Sequence, residues 1–160
     1  KDGFFSYQPK TKAIEHFPAS RFPNASIHSV YVDKASEVWF EQHNRDNHPL
    51  LTAELDGTIA GYASLSAYAE KEAYCSTVEL SVYVAKFAQR KGVASALMQE
   101  ILAIAQIDVR IHSVVSIITG GNAASERLHE KFGFQRCGML KEMGKKFGQY
   151  LDVVYYQLLV

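Results

Sequence analysis

The amino-acid sequence predicts a mixed α/β fold, a sheet with one parallel crossover at its centre, in a single domain spanning residues 1–160. Three observations carry this. Apolar and polar residues alternate along Val78-Glu79-Leu80-Ser81-Val82-Tyr83-Val84, the period-two signature of a strand with one apolar face. From Gly92 the period changes, and Val93, Leu97, Ile101 and Ile104 with Ala105 fall on one helical stripe. A mostly apolar, β-branched run at Ile111–Ile118 follows, so strand, helix and strand make a crossover. A chain of 160 residues can bury one real core and is too short for two comfortable ones.

Residues 1 to about 35 include Phe4, Phe5, Tyr7, Phe17 and Phe22, apolar enough to pack. Pro9, Pro18 and Pro23 interrupt any period, so short pieces and turns are expected there. Asp33 to Asn44 reads as a helix centred on Val38, Trp39 and Phe40. Leu50–Leu55 reads as a strand, and Asp56-Gly57 as a hairpin turn into Ile59–Tyr68. Gly61 inside that second strand signals a bulge or a close backbone approach. Beyond Ile118, Gly120-Gly121 breaks the chain, and Asn122 caps a second helix that runs to about Phe132. Gly133 stops it in the C′ position. Phe134–Leu140 and Tyr150–Val160 read as two final strands across a loop from Gly144 to Gly148.

Seventeen Lys and Arg balance seventeen Asp and Glu, which argues against nucleic acid or an anionic membrane surface as a partner. The apolar runs are too short to span a bilayer. Cys75 and Cys137 stand in no metal or redox spacing, as in a reduced, cytoplasmic protein. Lys1-Asp2-Gly3 lacks an initiator Met and the apolar core of a signal peptide, which is expected of a processed or trimmed end. His43, His48 and His112 form no metal-ligand pattern, so no metal is expected.

The chemistry concentrates where the Val78–Val84 strand hands over to its helix. Helix starts recruit Ser, Thr, Asp or Asn to satisfy free amides, and none stands here. Lys86, Arg90 and Lys91 stand nearby instead, with Gly92 and Ala94 leaving little side chain over the turn. Such a turn is an anion site that the helix dipole reinforces, and we read it as a pyrophosphate cradle. An ordinary strand-to-helix turn with exposed basic residues fits the same pattern. The turn matches neither G-x-G-x-x-G nor a P-loop, which disfavours a nucleotide-binding domain.

These residues resemble a known family. Gln89-Arg90-Lys91-Gly92-Val93-Ala94 is similar to the Q/R-x-x-G-x-G/A signature of the GNAT N-acetyltransferases. Asn122-Ala123-Ala124-Ser125 and Leu128-His129-Glu130-Lys131-Phe132-Gly133-Phe134 resemble that family's second block. The Val78–Val84 strand and Gly144-Lys145-Lys146-Phe147-Gly148-Gln149-Tyr150-Leu151-Asp152-Val153 are similar to its phosphinothricin/methionine sulfoximine acetyltransferase branch. The likeness covers about Leu50 to Val160. It implies a mostly antiparallel sheet whose central parallel pair splays around acetyl-CoA, and acetyl transfer from acetyl-CoA to an amine. By position, it implies that the backbone of Val82 and Val84 meets pantetheine. The segment Gln89, Arg90, Lys91, Gly92, Val93, Ala94 and Ser95 then holds the phosphates, with Asn122 nearby. It also implies a homodimer.

Acetyl transfer needs a neutral amine, a polarised carbonyl and a proton for the departing thiolate. Glu79, on the polar face of its strand, is the expected base; a solvent-facing strand Glu is the plainer alternative. A backbone N–H at Val82 would steady the developing oxyanion. His129 stands where many relatives carry Tyr. An imidazole can donate to the thiolate, or pack within its helix, or leave the thiolate to take its proton from water. Tyr150 occupies a position usually held by Trp, and Phe147 one held by His or an aromatic; both are expected to bind the acceptor, though such residues are more often core. Asp152 could bind an acceptor amine, but a structural hydrogen bond to its loop is the favoured expectation. Cys75 has no base partner and is expected only to pack. The sequence thus reads as a cytoplasmic N-acetyltransferase for a small amine, an amino acid or analogue. The alternatives are a protein N-terminal or polyamine acetyltransferase, or a non-catalytic acyl-CoA sensor.

Overall fold

The computed structural model describes residues 48–55 and 58–160, together with the backbone of three strands before them. Those are β1 (Gly3–Gln8), β2 (Ala13–Pro18) and β3 (Ser26–His28). Then follow β4 (Leu50–Leu55), β5 (Thr58–Ala67), β6 (Thr77–Val84), α1 (Val93–Ile107), β7 (Ser113–Thr119), α2 (Ala123–Lys131), β8 (Gln135–Lys146) and β9 (Gln149–Leu159). The chain divides into two compact units, Lys1–Ala67 with Ser81–Ile104 and Tyr68–Leu80 with Ala105–Val160. The helix expected at Asp33–Asn44 and the turn at Asp56-Gly57 lie outside the described residues.

In the first unit β3, β4 and β5 pair antiparallel, and β1 pairs antiparallel with β2. The β4–β5 register runs Ala53↔Gly61 and then Glu54↔Ile59, so Ala60 is bulged. Gly61 answers both signals read from it. It adjoins the bulge, and a Cβ there would sit 2.4 Å from the Tyr83 carbonyl oxygen. Ala85 N–H donates to Ala60 O at 2.8 Å, tying the end of β6 to the same place. Of the predicted stripe, helix α1 buries Val93, Leu97, Ile101 and Ala105, while Ile104 is only half-buried. A missing N-cap costs a helix about 1 kcal/mol. Burial of a Leu or Ile side chain stabilises by about 1.5–3 kcal/mol each, so packing outweighs the missing cap.

In the second unit the strand order is β6-β7-β9-β8. The β6–β7 pair is parallel over Thr77↔Ser113, Val78↔Val114 and Glu79↔Val115. The other pairs are antiparallel. The core here is Val78, Leu80, Val114, Ile118, Phe134, Val154 and Tyr156, all buried. Asn122 caps α2 as expected, its Oδ1 accepting from Ser125 N–H at 3.2 Å. Gly133, at φ 87°, closes it: Gly133 N–H donates to Glu130 O at 3.0 Å and Phe134 N–H to His129 O at 3.1 Å, a Schellman motif.

The C-terminal hairpin corrects the expected loop. Strand β8 runs through Gly144 to Lys146, and Phe147-Gly148 alone make the turn. Both residues have positive φ, 50° and 78°, the type I′ geometry that matches strand twist. Two irregularities lengthen β8 against β9, one at Arg136/Gly138 and one at Leu140/Gly144. Between Leu140 and Gly144 the chain bulges outward, with Glu142 at φ 54°.

Candidate functional site

The turn between β6 and α1 belongs to the first unit. A single 3-10 turn, Lys86–Ala88, closes with Ala88 N–H to Ala85 O at 2.9 Å and buries Ala88. Gln89 is extended, Arg90 adopts φ 60° and Gly92 φ 84°. A left-handed conformation costs an L-residue about 1–2 kcal/mol, so Arg90 holds strain at this corner. The first helical bond is Ala96 N–H to Gly92 O at 3.0 Å. The amides of Val93, Ala94 and Ser95 therefore precede the intrahelical ladder. No acidic residue stands in the first turn, and Lys86, Arg90 and Lys91 are exposed around it. Nothing lies within 4 Å of a Cβ built on Gly92. Free donors, a dipole end, basic neighbours and open space suit a diphosphate. Val82 and Val84 lie further along β6 than Glu79↔Val115, where its parallel ladder stops.

The aromatic pair Tyr62 and Tyr83, also in this unit, was not singled out from the sequence. Their rings stack with centroids 5.0 Å apart at 27°, and Tyr83 is exposed. Burial, with the Tyr83 phenol next, raises the Tyr62 pKa. Along β6 Tyr83 follows the alternation of Glu79 and Ser81. Cross-strand partnership, which sets the stack, cannot be read from one strand's sequence.

The other candidates belong to the second unit. Glu79 is half-buried between the buried Val78 and Leu80. Burial raises its pKa above the usual carboxylate value of 4.5, because desolvation disfavours the anion. A carboxylate so placed holds a proton more firmly than one in water.

His129 is buried. Its Nδ1 lies 2.8 Å from Ser125 O, its ring meets Phe134 edge-on at 5.1 Å, and Tyr156 tilts over it at 6.1 Å. Burial lowers its pKa below 6.5, partly offset by the bond to Ser125. An Nδ1–H donor to that carbonyl leaves Nε2 as a lone pair in the neutral ring. The packing alternative read from the sequence has this geometry. Tyr156 supports the same helix: its hydroxyl lies 3.1 Å from Glu130 Oε1 and 3.3 Å from Glu126 Oε2. Burial and those carboxylates push the phenol up to about 12.

The register separates Glu79 from Tyr150. Glu79 pairs with Val115 and Val115 with Gln157, so these three share one face. Tyr150, Asp152, Val154 and Tyr156 alternate onto the other, where Tyr156 meets α2. Tyr150 is therefore not brought to the face of Glu79. Phe147, at the hairpin tip, is 93% exposed. Asp152 does hold a loop: Oδ1 accepts Glu142 N–H at 2.8 Å, and its carbonyl accepts Gly120 N–H at 2.8 Å. Arg136 and Glu142, which the sequence did not mark, stand on this second face because of the β8 bulges.

Among the described residues no cluster of His, Cys, Asp and Glu could hold a metal, and no helix is long and apolar enough to cross a membrane.

Comparison with known proteins agrees with this architecture. The chain is 37% identical over 129 residues to the L-methionine sulfoximine/L-methionine sulfone acetyltransferase of Pseudomonas aeruginosa, covering 79% of this chain and 74% of that one. The crystal structure of a ribosomal-protein-alanine N-acetyltransferase from Brucella melitensis matches with a TM-score of 0.76 at 38% identity, over 83% of this chain and 82% of that one. A phosphinothricin acetyltransferase from Sinorhizobium meliloti, solved in complex with AcCoA, matches with a TM-score of 0.74 at 27% identity, over 81% and 70%. Residues 11–134 match the sequence profile of a family described as Acetyltransferase (GNAT). With that match covering most of its length, the chain belongs to the acetyltransferase (GNAT) family.

Proposed function

We propose that this protein transfers an acetyl group from acetyl-CoA to the amine of a small molecule, an amino acid or an analogue such as phosphinothricin or methionine sulfoximine. The observation that carries the reading is the β6–α1 turn, whose amides at Val93, Ala94 and Ser95 precede the first helical bond beside an open Gly92. The similarity to a methionine sulfoximine acetyltransferase and to a phosphinothricin acetyltransferase bound to AcCoA supports the choice of substrates.

In this reading the main chain from Gln89 to Ser95 binds the diphosphate, with Lys86, Arg90 and Lys91 adding charge. Backbone at Val82 and Val84 binds the pantetheine arm, and Asn122, besides capping α2, contacts the cofactor. Acetyl-CoA supplies an acyl group activated as a thioester. Glu79 takes the proton from the acceptor's ammonium, directly or through water, leaving a lone pair to attack the acyl carbon. The Val82 N–H faces the developing oxyanion. The neutral ring of His129 braces α2 instead of serving as the acid, and water protonates the thiolate, whose proton affinity is modest. Phe147 can flank the acceptor from the hairpin tip; Tyr150, on the opposite face, is left out of the acceptor pocket. The protein acts as one domain and as a homodimer. The cytoplasm suits it, since Cys75 and Cys137 form no disulfide; both are exposed, so Cys75 does not pack in the core as expected.

A second reading, acetylation of a protein N-terminus, is favoured by the 38% identity to a ribosomal-protein-alanine N-acetyltransferase. Thiol release from acetyl-CoA, measured against amino acids, methionine sulfoximine, phosphinothricin, polyamines and Ala- or Ser-initiated peptides, decides between them. Turnover highest with the amino-acid analogues supports the first reading. Turnover confined to peptides supports the second, and acetyl-CoA binding with no turnover at all supports a sensor.

A further inference from the structure

The β8 bulge builds a cavity of about 440 Å³ on the α2 side of the second unit, opposite Glu79. We propose that this cavity is a separate binding site for a free α-amino acid, distinct from the acceptor site. Its volume lies at the small end of the range for ligand pockets, about 300–1,000 Å³, and Gly120 and Gly121, which follow β7, are among its lining.

The cavity is assembled by specific contacts. A Cβ on Gly120 would lie 3.3 Å from both the Cβ and the carbonyl oxygen of Asp152, so a larger residue there would push the end of β7 and Asp152 apart by a few tenths of an ångström. Gly121, at φ 81° with nothing within 4 Å of its Cβ position, contributes bare main chain to the lining. On the rim, the hydrogen bond from Glu142 N–H to Asp152 Oδ1 fixes the bulge and turns the Glu142 residue into the lining.

The lining chemistry selects the ligand. Arg136 is the only cationic side chain lining the cavity, and it makes no ion pair among the described residues. Its guanidinium presents a fork of donors that matches a carboxylate. Glu126, Glu142 and Asp152 make the rest of the rim acidic, which suits an ammonium and repels a dianion such as a phosphate. Met139, Leu151 and Val154 supply an apolar wall, and the Tyr150 ring a flat one. One guanidinium, an excess of carboxylate and an apolar wall fit a zwitterion with an aliphatic or thioether side chain. A plain amine would leave Arg136 unanswered; a dicarboxylate would meet the acidic rim. Glu79, on the opposite face, takes no part in this site.

The test is an amide-resolved NMR titration of the full chain, without acetyl-CoA, using L-methionine and, separately, 3-(methylthio)propylamine. The expected result is saturable shifts at the Gly120, Gly121 and Glu142 amides with L-methionine, at least tenfold weaker with the amine. Arg136→Gln should weaken the L-methionine shifts at least tenfold while leaving kcat/KM for acetyl transfer within twofold. Glu142→Gly is the second variant, because glycine accepts the positive φ there and so keeps the bulge. It should also weaken binding. No shift at those amides, equal binding of the amine, or insensitivity to both substitutions overturns the proposal. If acetyl transfer fails while these shifts persist, the acceptor reading falls and this site stands.

Discussion

His129 and Phe134 meet edge to face, 5.1 Å between ring centroids, across the Schellman motif that ends α2. The pair is the apolar contact that commonly accompanies such a cap, and the His129 carbonyl is one of its acceptors. A residue tied in this way is occupied by structure on its ring and on its main chain.

The first prediction follows from that contact. Burial lowers the His129 pKa, so between the folded and unfolded values the unfolded chain binds more protons. Its contribution to stability is present above the ordinary value of 6.5 and is lost as pH falls through the lowered folded value. Replacing His129 by Phe should remove this part of the acid sensitivity, seen as a smaller drop in Tm between about pH 7.5 and about pH 5. The variant should keep kcat/KM within a few-fold. Loss of activity by about 100-fold at unchanged stability would assign His129 to acid catalysis.

Gly61 supplies a second. Because the Tyr83 carbonyl would sit 2.4 Å from a new Cβ, backbone must move to admit even a methyl group. Gly61→Ala should destabilise by about 1–3 kcal/mol in urea unfolding, the cost of overpacking. Wild-type stability in that variant would show that β5 and β6 part easily.

Gly92 offers a cleaner probe of the cradle, since nothing lies within 4 Å of its Cβ position. Its φ of 84° still disfavours most L-residues, but Asn tolerates such angles. Gly92→Glu should raise the Kd for acetyl-CoA at least ~10-fold, about 1.4 kcal/mol, while Gly92→Asn loses much less. Calorimetric titration reads both. Equal affinity in all three proteins would remove the phosphates from this turn.

Glu79 contributes to stability with the opposite pH sense. Its folded pKa is raised, so the folded chain binds more protons than the unfolded one between the ordinary and the raised values. Stability from this group is present below the ordinary value and is lost as pH rises through the raised one. Glu79→Gln should therefore melt above wild type near neutral pH and lose that advantage in acid. A variant melting below wild type at neutral pH would show the charged form to be favourably held.

Much of this was legible because it is local. Strand β4 falls at Leu50–Leu55 as read, and α2 starts at its Asn122 cap and stops at Gly133. The hairpin tip was misread because Phe147, a bulky residue, takes a positive φ that sequence chemistry reserves for Gly or Asn. The separation of Tyr150 from Glu79 was not legible at all. It depends on pairing through β7 and β9, and no single strand carries that information. The cavity beside Arg136 was hidden for the same reason, since bulges shift which residues share a face.

If Glu79 prepares the acceptor amine, the pH dependence of kcat/KM should differ between wild type and Glu79→Gln. The wild-type profile should show an acidic limb above the usual carboxylate range. The variant should lose at least ~100-fold, with that limb gone. A variant within a few-fold of wild type, with the same pH profile, would contradict that role for Glu79.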